Sequence, residues 1–332
     1  MSLYRPVKIG SLQLDGNLFL APVAGYTDRA FRSLCVEQGA DFSFTELISA
    51  EALSRNPKSS ELGIFARSQV REGNEAPYAI QLFGSDPDSI YRAAVIIAPL
   101  RPSAIDINAG CPVPKVVKSG AGSALMKNPA NIGRVVEAAV RASQASHNGI
   151  PVTIKMRSGW DSQSINYAEC ARIAVEAGAS MVSLHSRTRA QGYGGKSDWT
   201  HLADLVSRLS VPVTGSGDLY TPEDAQKMLQ ETGCAAVMFA RGAMGNPFIF
   251  SQTKLFLETG SWTGTPYETR MEAAMRHLEM LALDIGERTA CLEMRKQFCS
   301  YTKGVQGGAA LREKVVHAST IEEYRQIVYP KE

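Results

Sequence analysis

Short apolar runs recur along most of the chain, and amphipathic segments separate them. Eight runs have the length and residue types of buried strands, at residues 18–22, 42–46, 78–83, 104–108, 152–156, 181–185, 211–215 and 235–240. An N-cap residue directly precedes proline at Asp86, Asn128 and Thr221, which is a pattern typical of helix starts. The segment after Pro129 then keeps one face apolar at helical spacing. The pattern therefore predicts strands and helices in regular alternation.

Eight such strands alternating with helices over about 240 residues indicate an α/β fold, a (β/α)₈ TIM barrel. A doubly wound open sheet is the alternative, although it usually has fewer strands for this length. From about residue 255 the strand runs stop, and helices are predicted at residues 268–286, 288–304 and 322–328. We therefore predict a barrel domain over residues 1–254 and a small C-terminal all-helical domain over residues 255–332.

The composition is that of a globular protein, with 44% hydrophobic residues, 20% charged residues and a formal net charge of +2. No apolar run approaches the ~18 residues of a membrane span, and residues 1–5 lack the layout of a secretory signal. Six cysteines show neither CxxC nor Cys/His metal spacing. We therefore expect reduced thiols, no metal site and a cytoplasmic protein. The near-neutral charge by itself gives no support for a nucleic-acid partner.

Polar residues, together with two glycines, gather where the predicted strands end, which is where such a barrel places its active site. They are Gln81, Asn108, Cys111, Lys155, Arg157, His185, Arg187, Arg189, Ser216, Gly217, Asp218, Arg241 and Gly242. Taken singly, each of the polar ones could be a group that is hydrogen-bonded within the fold, or a surface charge without a function. Because most strands deliver at least one, we interpret the set as a site.

Two glycine-rich turns, at residues 215–218 and 240–242, follow the last two strands, where barrels commonly bind phosphate. Glycine lets backbone N–H groups close on phosphate oxygens, and Arg241 adds charge-assisted hydrogen bonds. The alternative is that these glycines only permit tight turns.

Lys155 would point from within a strand into the barrel mouth, where a buried ammonium is costly without a partner. One solution is a ligand that carries negative charge when reduced, such as a flavin. The other is an ion pair with a nearby carboxylate, for which Asp106 and Glu46 are the candidates.

Cys111 stands in a turn between Gly110 and Pro112, near two lysines. A partly exposed thiol beside basic groups suits acid or nucleophile chemistry. His185 is the second group that titrates near neutrality. A Cys/His hydrolase therefore stays open as an interpretation, although no orienting Asn or Asp is identified for it.

Several segments together match the pattern of a known family. They are residues 20–28, 81–84, 106–112, 152–157, 185–193, 215–218, 240–247, 295–296 and 301–304, with single matches at Lys115, Lys118, Gly120, Gly122 and Leu125. In these segments the sequence resembles the tRNA-dihydrouridine synthases, flavin enzymes that reduce uridine to 5,6-dihydrouridine in tRNA, and is most similar to their B-type subgroup. The Asn-x-Gly-Cys-Pro loop at residues 108–112 and the Arg-Thr-Arg-x-Gln-Gly segment at residues 187–192 are the most specific.

The resemblance implies FMN across the barrel mouth and NADPH as a transient reductant. Cys111 would protonate C5 of the uracil while flavin N5 delivers hydride to C6. Lys155 and His185 would contact the charge-bearing side of the reduced flavin, and Gln81 its polar edge. The other implied FMN contacts are Pro22, Val23 and Ala24 at the ring, and Ser216, Gly217, Asp218, Ala240, Arg241 and Gly242 at the phosphate end.

The resemblance also implies tRNA as the partner. Asn108 and Arg187 would hold the flipped-out base, and Arg157 is expected to contact the substrate as well. Further tRNA contacts are expected at Arg189, Tyr193, Arg295, Lys296 and Lys303. The last three lie in residues 288–316, which carry a local charge of +4 that the total charge conceals.

Four positions depart from the pattern of the family. Ser216 stands where the family usually has Asn, and Ala240 where it usually has Gly; Ala109 and Ser186 replace the more usual Met and Gly. We expect FMN binding to persist, because backbone N–H contacts survive at Ala240 if its φ stays negative. The change at Ser216 would cost roughly 0.5–1.5 kcal/mol if one hydrogen bond is lost without compensation.

Two other functions fit parts of the pattern. One is a tRNA-binding protein that modulates tRNA folding without catalysis, and the other is an FMN barrel that reduces a small free substrate. We expect the protein to be a monomer.

Overall fold

The structure, a computed structural model, describes residues 2–55, 77–146 and 149–330. Its strands are β1 Val7–Ile9, β2 Leu12–Leu14, β3 Leu18–Leu20, β4 Ser43–Phe44, β5 Ile48–Ser49, β6 Tyr78–Phe83, β7 Ala104–Ala109, β8 Val152–Gly159, β9 Met181–Thr188, β10 Val213–Ser216 and β11 Ala236–Phe239. Each of the eight predicted strands coincides with one of these: β3, β4 and β6 to β11.

The eight strands form a nearly closed parallel barrel in the order β3-β11-β10-β9-β8-β7-β6-β4, and β5 adds to the edge of β6. Between β3 and β4 the wall is completed by a parallel bridge from Phe19 to Phe42. There the Leu20 N–H donates to the Phe42 carbonyl at 2.9 Å. The predicted (β/α)₈ barrel is confirmed.

The helices of the barrel are Arg29–Glu37, Ala50–Arg55, Pro87–Ile97, Pro114–Lys118, Pro129–Ala145, Tyr167–Glu176, Trp199–Arg208, Pro222–Thr232 and Ile249–Thr259. Short 3₁₀ helices lie at Ala98–Leu100 and Gly122–Lys127. The three N-caps expected from the sequence are confirmed: Asp86, Asn128 and Thr221 each accept a hydrogen bond from a backbone N–H in the first turn.

A hairpin of β1 and β2, which the sequence pattern did not predict, lies under the N-terminal end of the barrel. Its buried side chains Val7, Ile9 and Leu14 belong to one apolar cluster with Phe19 and Phe42 of the barrel interior. The two phenylalanine rings meet edge to face at 5.4 Å. This end of the barrel is therefore packed with side chains, and the polar site lies at the other end.

The C-terminal region contains the helices Tyr267–Ile285, Glu287–Tyr301, Gly308–Val315 and Ile321–Val328. Three of them were predicted, and Gly308–Val315 was missed. The predicted domain boundary at residue 254 falls within helix Ile249–Thr259, and the division into two domains stays a prediction. Among the described residues, no helix has both the length and the hydropathy that a membrane span requires.

The C-terminal region docks beside the loop that follows β3. His277 Nε2 lies 3.2 Å from both carboxylate oxygens of Asp28, and both side chains are buried. The Gln297 amide donates to the carbonyls of Gly25 and Tyr26 at 3.3 Å. The loop at residues 24–28 is therefore shared between the barrel mouth and the helical region.

Candidate active site

A cavity of about 380 Å³ opens at the C-terminal ends of the barrel strands. The predicted site residues that line it are Pro22, Val23, Ala24, Asn108, Cys111, Lys155, Arg157, His185, Tyr193, Ser216, Gly217, Asp218, Ala240 and Arg241. Gln81, Arg187, Arg189, Gly242, Arg295, Lys296 and Lys303 do not line it. Several apolar side chains that were not predicted complete the wall, among them Leu47, Leu219 and Met244.

The backbone of Cys111 is held on both sides. Its N–H donates to Asn108 Oδ1 at 2.9 Å, and the Gly110 N–H donates to the same oxygen at 3.2 Å. Its carbonyl accepts from the Ser123 N–H at 3.0 Å and from the Ser123 hydroxyl at 2.9 Å. The thiol thus sits on a fixed loop at the edge of the cavity.

Burial raises the pKa of the Cys111 thiol, although the Val113 N–H and the charges of Arg157 and Lys155 act in the opposite direction. The thiol is therefore protonated at neutral pH, which is the state that a proton donor needs. A thiolate nucleophile would need a lowered pKa, so the Cys/His hydrolase interpretation loses its support.

Lys155 is partly buried at the cavity floor. Burial and the nearby Arg157 lower the pKa of its ammonium to about 8. Among the described residues, no hydrogen-bond or ion-pair partner faces this ammonium. Asp106 acts on it through its charge, but the Asp106 carboxylate makes its hydrogen bonds to other groups. The alternative of an ion pair between Lys155 and Asp106 or Glu46 is therefore not supported by a direct contact in the part of the chain that the structure describes, and Asp106 acts on Lys155 only through its charge.

His185 lies on the same wall. Burial and the positive charges of Lys155 and Arg157 hold the pKa of its imidazole well below the ordinary value, so the ring is neutral near pH 7. Arg187 Nη1 lies 3.4 Å from His185 Nε2. Because an arginine only donates, this contact makes Nε2 the acceptor and leaves the proton on Nδ1.

Arg187 was expected to hold the base, but the structure places it behind the cavity wall with 2% exposure. Its Nη2 donates to both oxygens of Asp218 at 2.8 Å and to the Gly195 carbonyl at 2.6 Å. Its Nε donates to the Gly194 carbonyl at 3.1 Å. The guanidinium is thus used to fix the loop after β9 to the turn after β10.

Arg157 lines the cavity but is also used by the scaffold. Its Nε donates to the Gly110 carbonyl at 2.9 Å, and its Nη1 donates to the carbonyls of Thr188 and Gly192 at 2.9 Å. This guanidinium therefore joins the Cys111 loop to the loop after β9.

Gln81 is also occupied within the scaffold. Its Nε2 donates to Asp106 Oδ2 at 2.6 Å, and its Oε1 accepts from Asn108 Nδ2 at 2.8 Å. The side chain is fully buried behind the cavity. A direct contact between Gln81 and a cofactor stays a prediction.

The glycine-rich turns after β10 and β11 approach each other closely. Gly217 has φ +112°, and a Cβ there would meet His185 Cδ2 at 2.8 Å. At Gly242 a Cβ would overlap the Leu219 carbonyl oxygen. Asp218 adopts φ +59° and is fixed by Arg187 and by the Ser197 N–H. Gly217 and Gly242 therefore have to be glycines, and the two turns bring backbone N–H groups together in the way that phosphate-binding sites use.

The two departures from the family pattern at these turns are accommodated. The Ser216 hydroxyl donates to the Met238 carbonyl at 3.1 Å, so its proton is used within the barrel wall and not by a ligand in the cavity. Ala240 is not among the described residues with positive φ, and alanine fits its backbone without strain.

An aromatic and cationic rim borders the cavity. The Arg241 guanidinium lies 5.0 Å from the Tyr193 ring centre and 5.3 Å from that of Tyr220, and Tyr193 is 59% exposed. Arg189, which was expected to contact tRNA, lies 4.7 Å from the ring centre of Trp160. The rim thus combines exposed rings with positive charge.

The three predicted residues of the helical region differ in exposure. Lys296 is exposed, and its Nζ lies 5.7 Å from the ring centre of Tyr26 at the barrel mouth. Lys303 is exposed as well. Arg295 is half-buried and donates to the Ala318 carbonyl at 3.1 Å, so part of its guanidinium stabilises the helical region itself.

No group of three or more His, Cys, Asp or Glu side chains within residues 2–55, 77–146 and 149–330 is arranged to hold a metal ion. Besides tyrosines, the titratable groups that line the cavity are the Cys111 thiol, the His185 imidazole, the cations of Lys155, Arg157 and Arg241, and the Asp218 carboxylate, which is paired with Arg187. Cations outnumber carboxylates along the cavity, which suits a negatively charged ligand.

Solved structures similar to this one share the barrel. They include an old yellow enzyme homologue from Zymomonas mobilis, with a TM-score of 0.52, 13% identity and coverage of 81% of this chain and 96% of that chain. Histamine dehydrogenase from a Rhizobium species matches with a TM-score of 0.57 and 14% identity, over 84% of this chain and 51% of that one. At these identities the likeness shows the fold alone.

The sequence comparisons identify the family of this chain. A probable tRNA-dihydrouridine synthase of Treponema pallidum is 48% identical, over 98% of this chain and 96% of that protein. The tRNA-dihydrouridine synthase B of Pseudomonas aeruginosa is 34% identical, over 92% and 90% respectively. The family model for dihydrouridine synthase matches residues 19–330. The chain therefore belongs to the dihydrouridine synthase family, and it is an oxidoreductase.

Proposed function

We propose that this protein reduces uridine to 5,6-dihydrouridine in tRNA, with FMN bound across the barrel mouth and NADPH as the reductant. Membership of the family supports the tRNA-dihydrouridine synthase activity. The observation that carries the chemistry is the Cys111 thiol, which is held on a fixed loop and whose pKa is raised by burial.

The residues present fit FMN. At Gly217 and Gly242 a Cβ would clash with neighbouring protein atoms, so only glycine lets these two turns pack this closely, and we propose that their backbone N–H groups hold the phosphate. Arg241 lies beside these turns at the cavity rim. The ammonium of Lys155 lacks a partner among the described residues and is suited to a flavin edge that becomes negative on reduction. When bound, FMN would supply the hydride.

Cys111 would then supply the proton. A protonated thiol at the cavity edge would deliver this proton to C5 of the uracil, which is the carbon next to the one that receives the hydride. Asn108 has a second N–H beyond the one that it donates to Gln81, and this N–H is available to the base. His185, neutral with Nε2 turned to Arg187, has its Nδ1–H free to donate to an acceptor in the cavity.

The substrate must be a nucleotide turned out of its stack, because the cavity lies inside the barrel mouth. We propose that groups around the mouth hold the rest of the tRNA: the exposed Tyr193 and the half-buried Arg189 on the barrel, and the exposed Lys296 and Lys303 on the helical region. Rings stack on bases and lysines contact phosphates. We further propose that the protein acts as a monomer in the cytoplasm.

The test uses purified protein loaded with FMN, NADPH and an unmodified tRNA transcript, with dihydrouridine measured by mass spectrometry. We expect the wild type to form dihydrouridine, and Cys111→Ala to lose this activity while it retains the flavin absorbance. Failure to take up FMN would refute the proposal. Efficient reduction of free uracil or an enone, with tRNA ignored, would instead favour a small-substrate reductase. If Cys111→Ala left every effect of the protein on tRNA intact, a non-catalytic role would be favoured.

A further inference from the structure

A series of buried hydrogen bonds leads from the barrel interior to the Cys111 loop. It begins at Asp106, which is fully buried and whose Oδ1 accepts from the Thr153 hydroxyl at 2.5 Å. Asp106 Oδ2 accepts from Gln81 Nε2 at 2.6 Å, and Gln81 Oε1 accepts from Asn108 Nδ2 at 2.8 Å. Asn108 Oδ1 then accepts from the Cys111 N–H at 2.9 Å. The carboxylate is thus connected to the acid loop through two amides.

Strand register places these groups in line. Gln81 on β6 is paired with Asp106 on β7, and Asp106 is paired with Thr153 on β8. Asn108 follows Asp106 by two residues, so both side chains point to the same side of β7. The series therefore follows from the barrel wall and needs no flexible segment.

The direction of each hydrogen bond follows from the carboxylate, because an ionised carboxylate only accepts. Gln81 must turn its NH₂ group to Asp106 and its oxygen to Asn108. Asn108 must in turn give its NH₂ group to Gln81, and this leaves its oxygen for the loop. If Asn108 were turned over, its NH₂ group would face the N–H groups of Gly110 and Cys111, and the loop would lose its acceptor.

We propose that Asp106 is a positioning residue for Cys111: through Gln81 and Asn108 it fixes the acceptor that holds the backbone of the acid loop. The proposal rests on the proposed function and deepens it, since it names what holds the proton donor in place. Asp106 does not line the cavity, so its hydrogen bonds reach the acid loop only through the two amides, while its charge also acts on Lys155.

Two variants separate the hydrogen bond from the charge. Asp106→Leu removes the acceptor that faces Gln81, whereas Asp106→Asn keeps one oxygen for Gln81 while the Thr153 hydroxyl accepts from the new amide. Thr214→Val is the matched control, because Thr214 is a buried barrel residue whose hydroxyl bonds only the Met181 sulfur. All are measured as FMN-saturated holoenzyme.

We expect Asp106→Leu to lower kcat for tRNA about 10- to 100-fold without a change in KM. A catalytic group displaced by about 1 Å lowers the rate by up to about 100-fold. Asp106→Asn should keep most of kcat, and Thr214→Val all of it. Alkylation of Cys111, followed on its peptide by mass spectrometry, should shift its midpoint to lower pH in Asp106→Leu, because a released loop exposes the thiol.

The proposal is overturned if Asp106→Leu has the kcat and alkylation profile of Thr214→Val. It is also overturned if Asp106→Asn is as slow as Asp106→Leu, which would assign the effect to charge. Should Asp106→Leu fail to fold, Gln81→Met interrupts the same series with Asp106 in place, and the same losses are expected. If the wild type did not reduce tRNA, the proposed function would fail, while the alkylation profiles would still decide the positioning.

Discussion

Arg29 and Asp284 form a two-pronged ion pair between the first barrel helix and the helical region, with Nε–Oδ2 and Nη2–Oδ1 distances of 2.8 Å. Their side chains are only 9% and 4% exposed. A buried pair of this geometry is strongly disturbed when one partner is removed, because the other charge is left without compensation. The pair thus fixes how the two parts meet.

We expect Asp284→Ala to lower the free energy of unfolding by about 3–5 kcal/mol. The control is Glu37→Ala, which breaks an ion pair with Arg276 that also joins the barrel to the helical region but is 35% and 55% exposed. That change should cost less than about 1 kcal/mol. Urea unfolding followed by circular dichroism measures both, and equal losses would contradict the assignment.

Gly242→Ala should abolish FMN retention. The new Cβ would overlap the Leu219 carbonyl, so the turn has to open, at a cost of about 1–3 kcal/mol. Gly264→Ala is the matched control, because nothing lies within 4 Å of its Cβ position and its φ is not positive. The flavin content of the purified proteins, read from absorbance, checks the prediction. Full flavin in Gly242→Ala would show that the turn is not part of the cofactor site.

The stability of the FMN-free protein should depend on the titration of Lys155. Its pKa is about 8 in the folded protein because burial disfavours the ammonium, whereas an unfolded lysine titrates near 10.4. Between these values the unfolded chain binds the extra proton, so stability rises with pH through this window. Below pH 8 both states are protonated, and the cost of the buried charge is fully present.

The comparison is with Lys155→Met, which carries no charge at any pH. At about 1.4 kcal/mol per pKa unit, the difference in unfolding free energy between this variant and the wild type should shrink by about 3 kcal/mol from pH 8 to pH 10.4. A constant difference across this range would show that Lys155 is not desolvated.

Binding of tRNA should depend on Lys296. Its ammonium lies near the Tyr26 ring where the helical region meets the barrel mouth, so Lys296→Ala should weaken binding and reduce the slope of log K against log salt by about one. Lys254→Ala is the control, because that lysine also lies over a tyrosine ring, Tyr4, but near the opposite end of the barrel. Equal losses in both variants would argue against this surface.

The barrel was predictable because its strands are long enough to show a pattern. The hairpin of Val7–Ile9 and Leu12–Leu14 was not, since three residues are too few to distinguish a strand from a loop. Helix Gly308–Val315 begins after Gly307, which has φ +73°, and two adjacent glycines predict a turn rather than a helix. Its place is decided by packing against its neighbours.

The position of the candidate site was predictable from polar residues at strand ends, but the partners of the arginines were not. Arg187 and Arg157 have the residue type and the strand-end position of ligand-binding groups. In the folded protein, however, their guanidinium groups bind backbone carbonyls, and that of Arg187 also binds Asp218. The series through Asp106 was missed as well. A signal existed, because Asp106 and Asn108 are polar residues two apart in an otherwise apolar strand.

The loop that carries Cys111 has no free backbone group at that residue, since Asn108 accepts its N–H and Ser123 donates twice to its carbonyl. Under the proposed function, the thiol stays where this loop holds it, and the uridine has to be drawn out of its stack to reach it. We then expect the modified position to be the one whose backbone allows that reach from the proposed tRNA-binding surface of the helical region.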